Sequence, residues 1–505
     1  METCACPPLV EAGDSAIRRR CYNSMKKTLS IIMSAAECTP FAKVGGLADV
    51  IGSLPQALAS TGVAVTVILP RYGSINKKKF GLKKIGSVLI PTNRKKERIT
   101  VYEGTLRHNA VRYLFIDHRY FTSKEVYVPN KGKTKPDIER FSFFSQAVVE
   151  TISTLKLPCD ILHCHDWHTA LIPSILDNQG IVLDRPFIPT ILTIHNLVSQ
   201  GTTNRAFIKR LGFKKNVPLP VLEDFYDLDG EQLNFMKIGI LSADPVTTVS
   251  PHYSMEIMGS EFGAGLETFL TRRKKDLSGI INGIDSKDFN PAIDAHLISR
   301  YTVPSVQKGK KRNKDALLTS LKLSPTTGPL IGVVTRLVAQ KGLDIAITAL
   351  DSLLAQNDAR IIILGTGDPV IEQACRKLAT RYPTKVAALI RFDETLARRI
   401  YAANDLFLMP SYFEPCGLGQ MIAMRYGTIP LVRDVGGLHD TVIDNKTGFV
   451  FNDYTAAALS KALDRALTLY TDKKAWYTMV NRCMQQDFSW AASASKYKKL
   501  YDELA

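Results

Sequence analysis

Short runs of aliphatic and β-branched residues alternate with longer amphipathic stretches along most of the chain. These runs lie at 28–35, 64–70, 111–117, 160–166 and 189–195 in the first half, and at 329–336, 359–365, 387–392, 405–411 and 428–434 in the second. Continuous apolar strands separated by longer connections are typical of parallel sheets that helices cover on both faces. The pattern therefore predicts an α/β protein with two doubly wound, Rossmann-like domains.

The limits of the two predicted domains follow from where this pattern stops. Charge and proline interrupt it in "SRYTVPSVQKGKKRNK", which places the boundary within about 285–325. The domains are expected to span 28–290 and 291–485. The remaining segment, 486–505, contains "DFSWAASASKYKKLYDEL", whose apolar spacing predicts an amphipathic helix.

The composition of the chain indicates the cellular compartment in which the protein is expected. Residues 1–27 lack the apolar stretch of a secretory signal and are expected to form a disordered extension. No apolar run reaches the roughly 18 to 20 residues that a membrane helix needs. The nine cysteines are scattered without a C-x-x-C pair, which fits a reducing compartment better than a disulfide framework. A cytoplasmic protein without a membrane partner is expected, and a plastid location is the alternative.

The net charge of +17 favours anionic partners. Much of the excess lies in short basic runs at 18–20, 76–79, 93–98, 271–275 and 308–314, which are expected to be solvated loops. Aromatic residues are not interleaved with these runs, so they do not form a stacking platform for single-stranded nucleic acid. Nucleic acid is therefore not expected as a partner, and the oligomeric state is left open.

A glycine turn in "FAKVGGLADVIGSLPQAL" joins the first predicted strand to a predicted helix. It carries Lys43, Gly45, Gly46 and Asp49, but it matches neither G-x-G-x-x-G nor G-x-x-x-x-G-K-[ST]. Glycines at such a joint let a backbone approach a phosphate closely. The turn is therefore a candidate part of a nucleotide site of an unfamiliar kind.

Two further strands of the first half end in polar residues. "DILHCHDWHTAL" delivers Asp166 among the histidines 163, 165 and 168, and "TILTIHNL" delivers His195 and Asn196. The histidine cluster has no matching Cys or His spacing elsewhere, so a metal site is not expected. In open parallel sheets, ligands bind beyond the carboxyl ends of the strands. A carboxylate and an imidazole facing a cleft are the preferred interpretation.

The second half carries the clearest anion-binding pattern. In "VVTRLVAQKGLDIAI", Arg336 and Lys341 lie at the turn from a strand to a helix N-terminus, where the helix dipole is also positive. Two cations there favour a diphosphate. "ILGTGDP" adds a glycine turn at Gly365. In "YFEPCGLG", Glu414 precedes Pro415, a residue suited to the first turn of a helix. The amides that follow would form an anion cradle.

The blocks "KVGGLADVIGSLP", "HCHDWHTAL", "TIHNL", "INGID", "TRLVAQKGLD", "GTGDP", "YFEPCGLGQMIAMRYGTIPLVRDVGGL" and "DFSW" occur in the order found in one enzyme family. From about Thr28 to its end, the chain resembles the bacterial glycogen synthases and plant starch synthases. The resemblance implies a GT-B fold with the active site between the two domains, and a final helix that packs back on the first. It implies glucose transfer from ADP-glucose to an α-1,4-glucan with retention, without a metal or cofactor.

The same resemblance implies roles for individual residues. Those expected to line the donor and glucose site from the first domain are Lys43, Gly45, Gly46, Asp49, Asp166, His195, Asn196 and Asn282. Those expected to hold the diphosphate, sugar or adenine from the second are Arg336, Lys341, Gly365, Phe392, Glu414, Cys416, Gly417, Leu418 and Gly419. The catalytic set is Glu414, Arg336, Lys341, His195 and Asp166. Gly419 departs from the bacterial pattern, which usually has Thr there, so a hydroxyl contact is lost.

Two other interpretations stay open at this point. Another GT-B enzyme could use a different nucleotide sugar or acceptor, because base and sugar choice depend on a few loop contacts. A non-catalytic glucan-binding homologue would be favoured by loss of the key cationic and acidic residues. Lys43, Arg336, Lys341 and Glu414 are all present.

Overall fold

The computed structural model describes residues 28–92, 96–106, 110–128, 136–183, 187–204, 207 and 232–505. The predicted extension at 1–27 lies outside the described residues. The strands are β1 Ser30–Ser34, β2 Ala64–Pro70, β3 Lys83–Pro91, β4 Lys96–Gly104, β5 Arg112–Asp117, β6 Ile161–His165, β7 Thr190–Ile194, β8 Thr202–Asn204, β9 Gln232–Asn234, β10 Val246–Thr248, β11 Leu277–Gly279, β12 Leu330–Val334, β13 Arg360–Leu364, β14 Val386–Leu389, β15 Leu406–Met409, β16 Ile429–Arg433 and β17 Phe449–Phe451.

The helices alternate with these strands in both halves. They are α1 Gly46–Ala59, α2 Asp137–Thr154, α3 Ile172–Leu183, α4 Phe235–Ser242, α5 Pro251–Glu256, α6 Glu267–Arg272, α7 Val306–Ser320, α8 Leu343–Gln356, α9 Pro369–Arg381, α10 Glu394–Ala403, α11 Gly419–Arg425, α12 Gly436–Thr441, α13 Ala456–Thr471, α14 Lys473–Met484 and α15 Trp490–Leu504. Local sequence sets several of their starts. Asp368 caps α9 by accepting from the amide of Val370, with Pro369 in the first turn.

Two separate sheets carry the fold. Among the described residues, the first has nine strands in the order β11-β10-β7-β6-β1-β2-β5-β4-β3, and the second has six in the order β14-β13-β12-β15-β16-β17. All pairings in the second sheet are parallel. All ten strands predicted from the hydrophobic runs are found, and the prediction of two Rossmann-like domains is confirmed.

Each sheet reverses its strand order at one point, and that point locates the site. In the first sheet β2 lies on one side of β1 and β6 on the other. In the second, β13 and β15 lie on opposite sides of β12. A crevice opens beyond the carboxyl ends of the strands where the order reverses. The candidate residues follow β1, β6 and β7 in the first domain, and β12 and β15 in the second.

A hairpin of β3 and β4 extends the first sheet by antiparallel pairing with β5. The hydrophobic pattern did not predict it. Only one of its faces is buried, through Val88, Ile90, Ile99 and Val101, while Ile85, Leu89, Lys96 and Arg98 are exposed. Such alternation is weaker as a signal than the continuous apolar runs of a doubly covered parallel sheet.

The basic run at 308–314 was predicted to be a solvated loop, and that prediction is wrong. The run forms part of α7, and two of its lysines are buried. The Lys310 ammonium donates to the carbonyls of Ala402 and Tyr426 at 3.1 and 3.2 Å and to the hydroxyl of Thr428 at 2.7 Å. These acceptors include carbonyls at the C-terminal ends of α10 and α11, which a cation suits.

The chain crosses between the domains twice, and the two crossings pair with each other. The amide of Ile284 donates to the carbonyl of Phe488 at 2.8 Å. The final helix α15 then packs on α1, and its Tyr497 and Tyr501 are fully buried in the core of the first domain. In the described part of the chain, no helix is long and apolar enough to cross a membrane.

Candidate active site

An ion pair between Lys341 and Glu414 lies at the point where the second sheet reverses its strand order. The chain leaves β12, makes a short 3-10 turn at Ala339–Lys341 and enters α8. The Lys341 ammonium lies 2.6 Å from Oε2 of Glu414, which follows β15, and both side chains are at least 85% buried. Gly342 makes the turn possible, since its φ is +68° and a Cβ there would lie 1.9 Å from the Pro410 carbonyl oxygen.

Arg336 lies on the same loop but is exposed. Within the residues that the structure describes, its guanidinium makes no hydrogen bond or ion pair to the protein. An arginine without a protein partner at a switch point is free to bind an anion in the bidentate geometry of its guanidinium. Arg336 and Lys341 therefore differ in state: one is available, and the other is held by a carboxylate.

Glu414 is fixed from several directions. The hydroxyl of Ser411 donates to its Oε2 at 3.0 Å, and its carbonyl accepts from the amide of Gly437 at 3.0 Å. Gly436 permits this contact, because its φ is +44° and a Cβ there would lie 2.0 Å from the Glu414 carbonyl oxygen. The carboxylate is thus held beside the switch point.

The amides after Glu414 form a turn before α11. The prediction that Pro415 lies in the first helical turn is wrong, because the helix begins at Gly419. Gly417 has a φ of +72°, which brings the turn back toward the helix. The amides of Leu418 and Gly419 lie at the N-terminal end of α11, where helix geometry leaves them without an intrahelical acceptor.

Asp166 is the buried carboxylate of the first-domain wall. It follows β6 with a φ of +57°, which is uncommon outside glycine. Its Oδ1 accepts from the amides of His195 at 2.7 Å and Asn196 at 3.4 Å. Burial raises the pKa of Asp166 to about 7, and the two amide hydrogen bonds oppose the rise.

Histidine rings extend behind this carboxylate. Nδ1 of His165 and Nε2 of His195 are 3.0 Å apart and hydrogen-bonded. Both ring nitrogens of His163 are used, Nδ1 by the hydroxyl of Tyr501 and Nε2 by that of Thr193. Burial lowers the pKa of His163 and of His195 to about 3. These imidazoles are therefore neutral at physiological pH.

No metal-binding arrangement is found in the described part of the chain, since no group of three or more His, Cys, Asp or Glu side chains is placed to hold an ion. The histidine side chains near Asp166 do not point toward a common position. His163 is engaged with Tyr501 and Thr193, and the ring of His168 stacks on that of Tyr127 with centroids 5.1 Å apart.

A carboxylate that the sequence did not reveal shapes the first glycine turn. Glu37 is 3% exposed, and its Oε2 accepts from the amides of Val44 and Gly45 at 2.6 and 2.8 Å. Its Oε1 accepts from the hydroxyl of Tyr127 at 2.5 Å. Glu37 therefore holds the turn that carries Lys43, and only the contact between distant segments identifies it.

Lys43 itself is half exposed and pairs with Asp49 at 2.7 Å. Burial raises the pKa of Asp49, while the charge of Lys43 and its hydrogen bond lower it. A Cβ on Gly46 would meet no protein atom within 4 Å, and one on Gly45 would only reach Glu37 at 4.0 Å. The fold does not require glycine at these positions, which fits a role in approach to a ligand.

Three other predicted residues lie around these walls. Asn282 is buried, and its Oδ1 has no hydrogen-bond partner in the described chain. Cys416 is buried next to it, and burial raises the pKa of its thiol to about 12, so it is not a thiolate at neutral pH. The side-chain oxygen of Asn196 accepts from the amide of Val198 at 3.1 Å, which shapes the turn after β7.

Gly365 and Phe392 follow the neighbouring strands of the second sheet. Gly365 allows the exit of β13 to pass the β12 loop, since a Cβ there would lie 1.8 Å from the carbonyl oxygen of Thr335. Phe392 follows β14 and is 82% exposed. A planar ligand that stacked on this ring would cover its exposed aromatic surface.

The site residues of the first domain and those of the second lie on either side of a contact between helices α5 and α12. Tyr253 in α5 is buried, and burial raises its pKa, with Asp166, Glu256 and Glu414 adding to the rise. These carboxylates of both domains therefore lie near one hydroxyl. The carboxylate of Glu256 accepts from the amide of Gly436 at 2.9 Å. Tyr253 and Glu256 lie in no motif, so sequence reasoning missed them.

Comparison with known proteins assigns each half to a family model. Residues 30–272 match the model described as the starch synthase catalytic domain, and residues 320–479 match glycosyl transferases group 1. The chain is 41% identical to a glycogen synthase of Lactobacillus acidophilus, over 94% of this chain and 100% of that protein. It is 39% identical to a glycogen synthase of Geobacillus thermodenitrificans, over 94% of this chain and 98% of that one.

Solved structures give the same assignment. The chain superposes with a TM-score of 0.85 and 34% identity on the catalytic domain of starch synthase IV from Arabidopsis thaliana bound to ADP and acarbose, covering 95% of this chain and 99% of that one. It also resembles a sucrose-phosphate synthase from Thermosynechococcus elongatus, with a TM-score of 0.60 and 19% identity over 94% of this chain and 99% of that one. The second likeness concerns the fold alone.

Proposed function

The chain belongs to the family of bacterial glycogen synthases and plant starch synthases, and from this we propose that it transfers glucose from ADP-glucose to the non-reducing end of an α-1,4-glucan with retention of configuration. Its two facing Rossmann-like domains form the GT-B architecture. The observation that carries the proposal is the second switch point, where Lys341 is paired with Glu414 while Arg336 stays available for an anion. The enzyme is a hexosyltransferase whose two substrates meet between the domains.

The negative charge that develops on the leaving group accounts for the positively charged and N–H donor groups of the site. Cleavage of the anomeric bond places negative charge on the departing ADP, and preorganised donors stabilise such developing charge most effectively. Arg336 would bind the diphosphate through two parallel N–H donors. The amides of Leu418 and Gly419 would add donors from the N-terminal end of α11.

The sugar explains the carboxylates. The anomeric carbon gains positive character as the bond breaks, and a carboxylate close to it stabilises that charge. Glu414 would serve this role from the second domain, with Lys341 holding it in place. Asp166, His195, Asn196 and Asn282 would bind the glucose hydroxyls from the first domain.

Retention is proposed to proceed on one face of the sugar. A double displacement needs an ionised carboxylate nucleophile on the opposite face. Asp166 fits that role poorly, because its pKa is about 7 and its Oδ1 is held by two amides. In the proposed reaction the departing phosphate oxygen instead accepts the proton of the attacking glucan hydroxyl.

The first-domain turn and the aromatic ring complete the donor site. Glu37 holds the backbone at Val44 and Gly45, and the open space at Gly46 admits the donor. Lys43, freed from Asp49 by closure, would reach the phosphates or the sugar. Phe392 would stack on the adenine. Closure of the two domains would exclude water that otherwise hydrolyses the donor.

We further propose that the transfer needs no metal or other cofactor, and that it takes place in the cytoplasm. The second statement is supported by the bacterial origin of the relatives that are glycogen synthases. A chelator tests the first: dialysis against EDTA should leave the rate unchanged, and a loss of rate that Mg²⁺ or Mn²⁺ restores would contradict it.

The decisive experiment measures nucleoside diphosphate release from ADP-glucose or UDP-glucose with glycogen present. Turnover of ADP-glucose that depends on glycogen supports the proposal. Turnover of UDP-glucose alone would favour another GT-B donor. No turnover of either donor, in a preparation with a cooperative thermal transition, would favour a non-catalytic glucan-binding protein instead.

A further inference from the structure

One buried histidine of the first domain contacts a candidate catalytic residue but has no role in the proposed reaction. His165 is the last residue of β6 and is fully buried. Its Nδ1 is hydrogen-bonded to Nε2 of His195 at 3.0 Å, and its Nε2 has no partner in the described chain. Among the described residues, the ring of His165 therefore has its only hydrogen bond with His195.

One hydrogen bond joins the two neutral rings, and its proton can belong to either of them. If His165 carries the proton on Nδ1, it donates to Nε2 of His195, and its own Nε2 is a buried bare lone pair. If His195 carries the proton on Nε2, then His165 must hold its proton on a buried Nε2–H without an acceptor. Orphaned buried N–H donors are rarer than under-satisfied acceptors. The first arrangement is favoured.

The ring of His165 cannot easily turn to change this pairing. It lies against the ring of His163, with centroids 4.1 Å apart. His163 is itself fixed by Tyr501 of the final helix and by Thr193. The close packing of rings in a filled core allows no rotation without moving these neighbours.

We propose that His165 is a positioning residue that fixes His195 as the tautomer protonated on Nδ1, so that His195 presents an N–H donor, and not a lone pair, to the transferred sugar. This inference rests on the proposed function for the identity of the sugar. Within the described residues, Nδ1 of His195 makes no hydrogen bond and is not fully buried, so this donor is available to a ligand.

The electrostatics of the pair agree with this arrangement. Burial lowers the pKa of both imidazoles, that of His195 to about 3, so each ring carries one proton and no charge. A neutral imidazole needs a neighbour to select its tautomer. In serine proteases the residue behind the catalytic histidine has this task, and its loss leaves the geometry intact but presents the wrong tautomer.

Three variants separate positioning from packing. His165→Leu removes the donor, whereas His165→Asn is smaller than the wild-type residue but can place an amide N–H where Nδ1 was. His163→Leu is the matched control, because His163 is equally buried and adjacent but is hydrogen-bonded to Tyr501 and Thr193 and not to His195. A purely structural role would make His165→Leu and His163→Leu alike.

The first readout is nitrogen NMR of the full chain labelled with ¹⁵N-histidine, with His195 assigned from the spectrum of His195→Gln. His195 is expected to show a protonated Nδ1 and a bare Nε2 in wild type, His163→Leu and His165→Asn. His165→Leu should show the other tautomer or a mixture. This readout needs no turnover, so it stands even if the proposed function fails.

The second readout is steady-state kinetics with ADP-glucose and glycogen. His165→Leu should lower kcat and kcat/KM together by about 10- to 100-fold, as expected for an interaction made in the transition state. His165→Asn should recover most of this loss. A protonated Nε2 on His195 in wild type, or an unchanged His195 tautomer in His165→Leu, would overturn the inference.

Discussion

Removal of the Arg336 side chain separates binding of the substrate from stability of the fold. Arg336 is exposed, and its guanidinium contacts no protein acceptor in the described residues. Surface substitutions away from specific contacts change the free energy of unfolding by about 0.5 kcal/mol or less. Arg336→Ala is therefore expected to unfold at nearly the temperature of wild type.

The expected effect on catalysis is much larger. Loss of one preorganised donor to developing negative charge costs about 2.7 to 4 kcal/mol, which is a fall of about 10²- to 10³-fold in kcat. Arg336→Lys keeps the charge but loses the planar pair of donors, so it should recover only part of the loss. ADP as a product inhibitor should bind more weakly to both variants.

The assay combines calorimetry with release of ADP from ADP-glucose in the presence of glycogen. Lys341→Met is the contrasting variant, because it leaves Glu414 as a buried unpaired carboxylate and should lower both stability and activity. An Arg336→Ala enzyme within about fivefold of wild type in kcat/KM, well under the predicted loss, would refute the assignment of the diphosphate site. So would a large fall in its unfolding temperature.

Two further predictions use the geometry of single positions. Gly342→Ala should unfold at a much lower temperature than wild type, since its Cβ would lie 1.9 Å from the Pro410 carbonyl oxygen. Gly46→Ala should fold normally and raise the KM for ADP-glucose, because a Cβ there meets no protein atom within 4 Å. Equal unfolding temperatures of the two variants would contradict this prediction. Burial lowers the pKa of Lys310 to about 7, below its unfolded value of 10.5, so the unfolded chain binds more protons between these values. The free energy of unfolding of wild type, relative to that of Lys310→Met, should therefore rise with pH from about 7 to 10, by at most about 1.4 kcal/mol per pH unit. Denaturant titrations measure this difference, and a difference that stays flat or falls with pH would contradict the burial argument.

Much of the fold follows from hydrophobic runs, because strands covered on both faces are continuously apolar. The ten predicted strands are of this kind. The strands that the pattern missed are short or one-sided, such as β10 and β11 with three residues each, or the β3–β4 hairpin. The basic run at 308–314 misled the prediction because charge usually indicates solvent. Buried carbonyls and Asp405, all distant in sequence, supply the partners of Lys310 and Lys314.

The candidate site could be predicted only as far as residues follow strand ends in recognisable blocks. Lys341 and Glu414 come together because β12 and β15 are neighbours at the switch point, and Arg336 lies on the same loop as Lys341. Glu37 and His165 could not be assigned from sequence. Glu37 acts through hydrogen bonds to the turn at Val44 and Gly45 and to Tyr127, and His165 acts through one hydrogen bond to the ring of His195.

The most direct test of the account follows the anomeric carbon itself. ADP-glucose labelled with ¹³C at C1 of the glucose is incubated with the purified chain and a short maltooligosaccharide, and the product is observed by NMR. The account predicts a new α-1,4-linked residue at the non-reducing end, with the label in the α configuration and ADP released in equal amount. A β-linked product, or free glucose without chain extension, would contradict retaining transfer between these two domains.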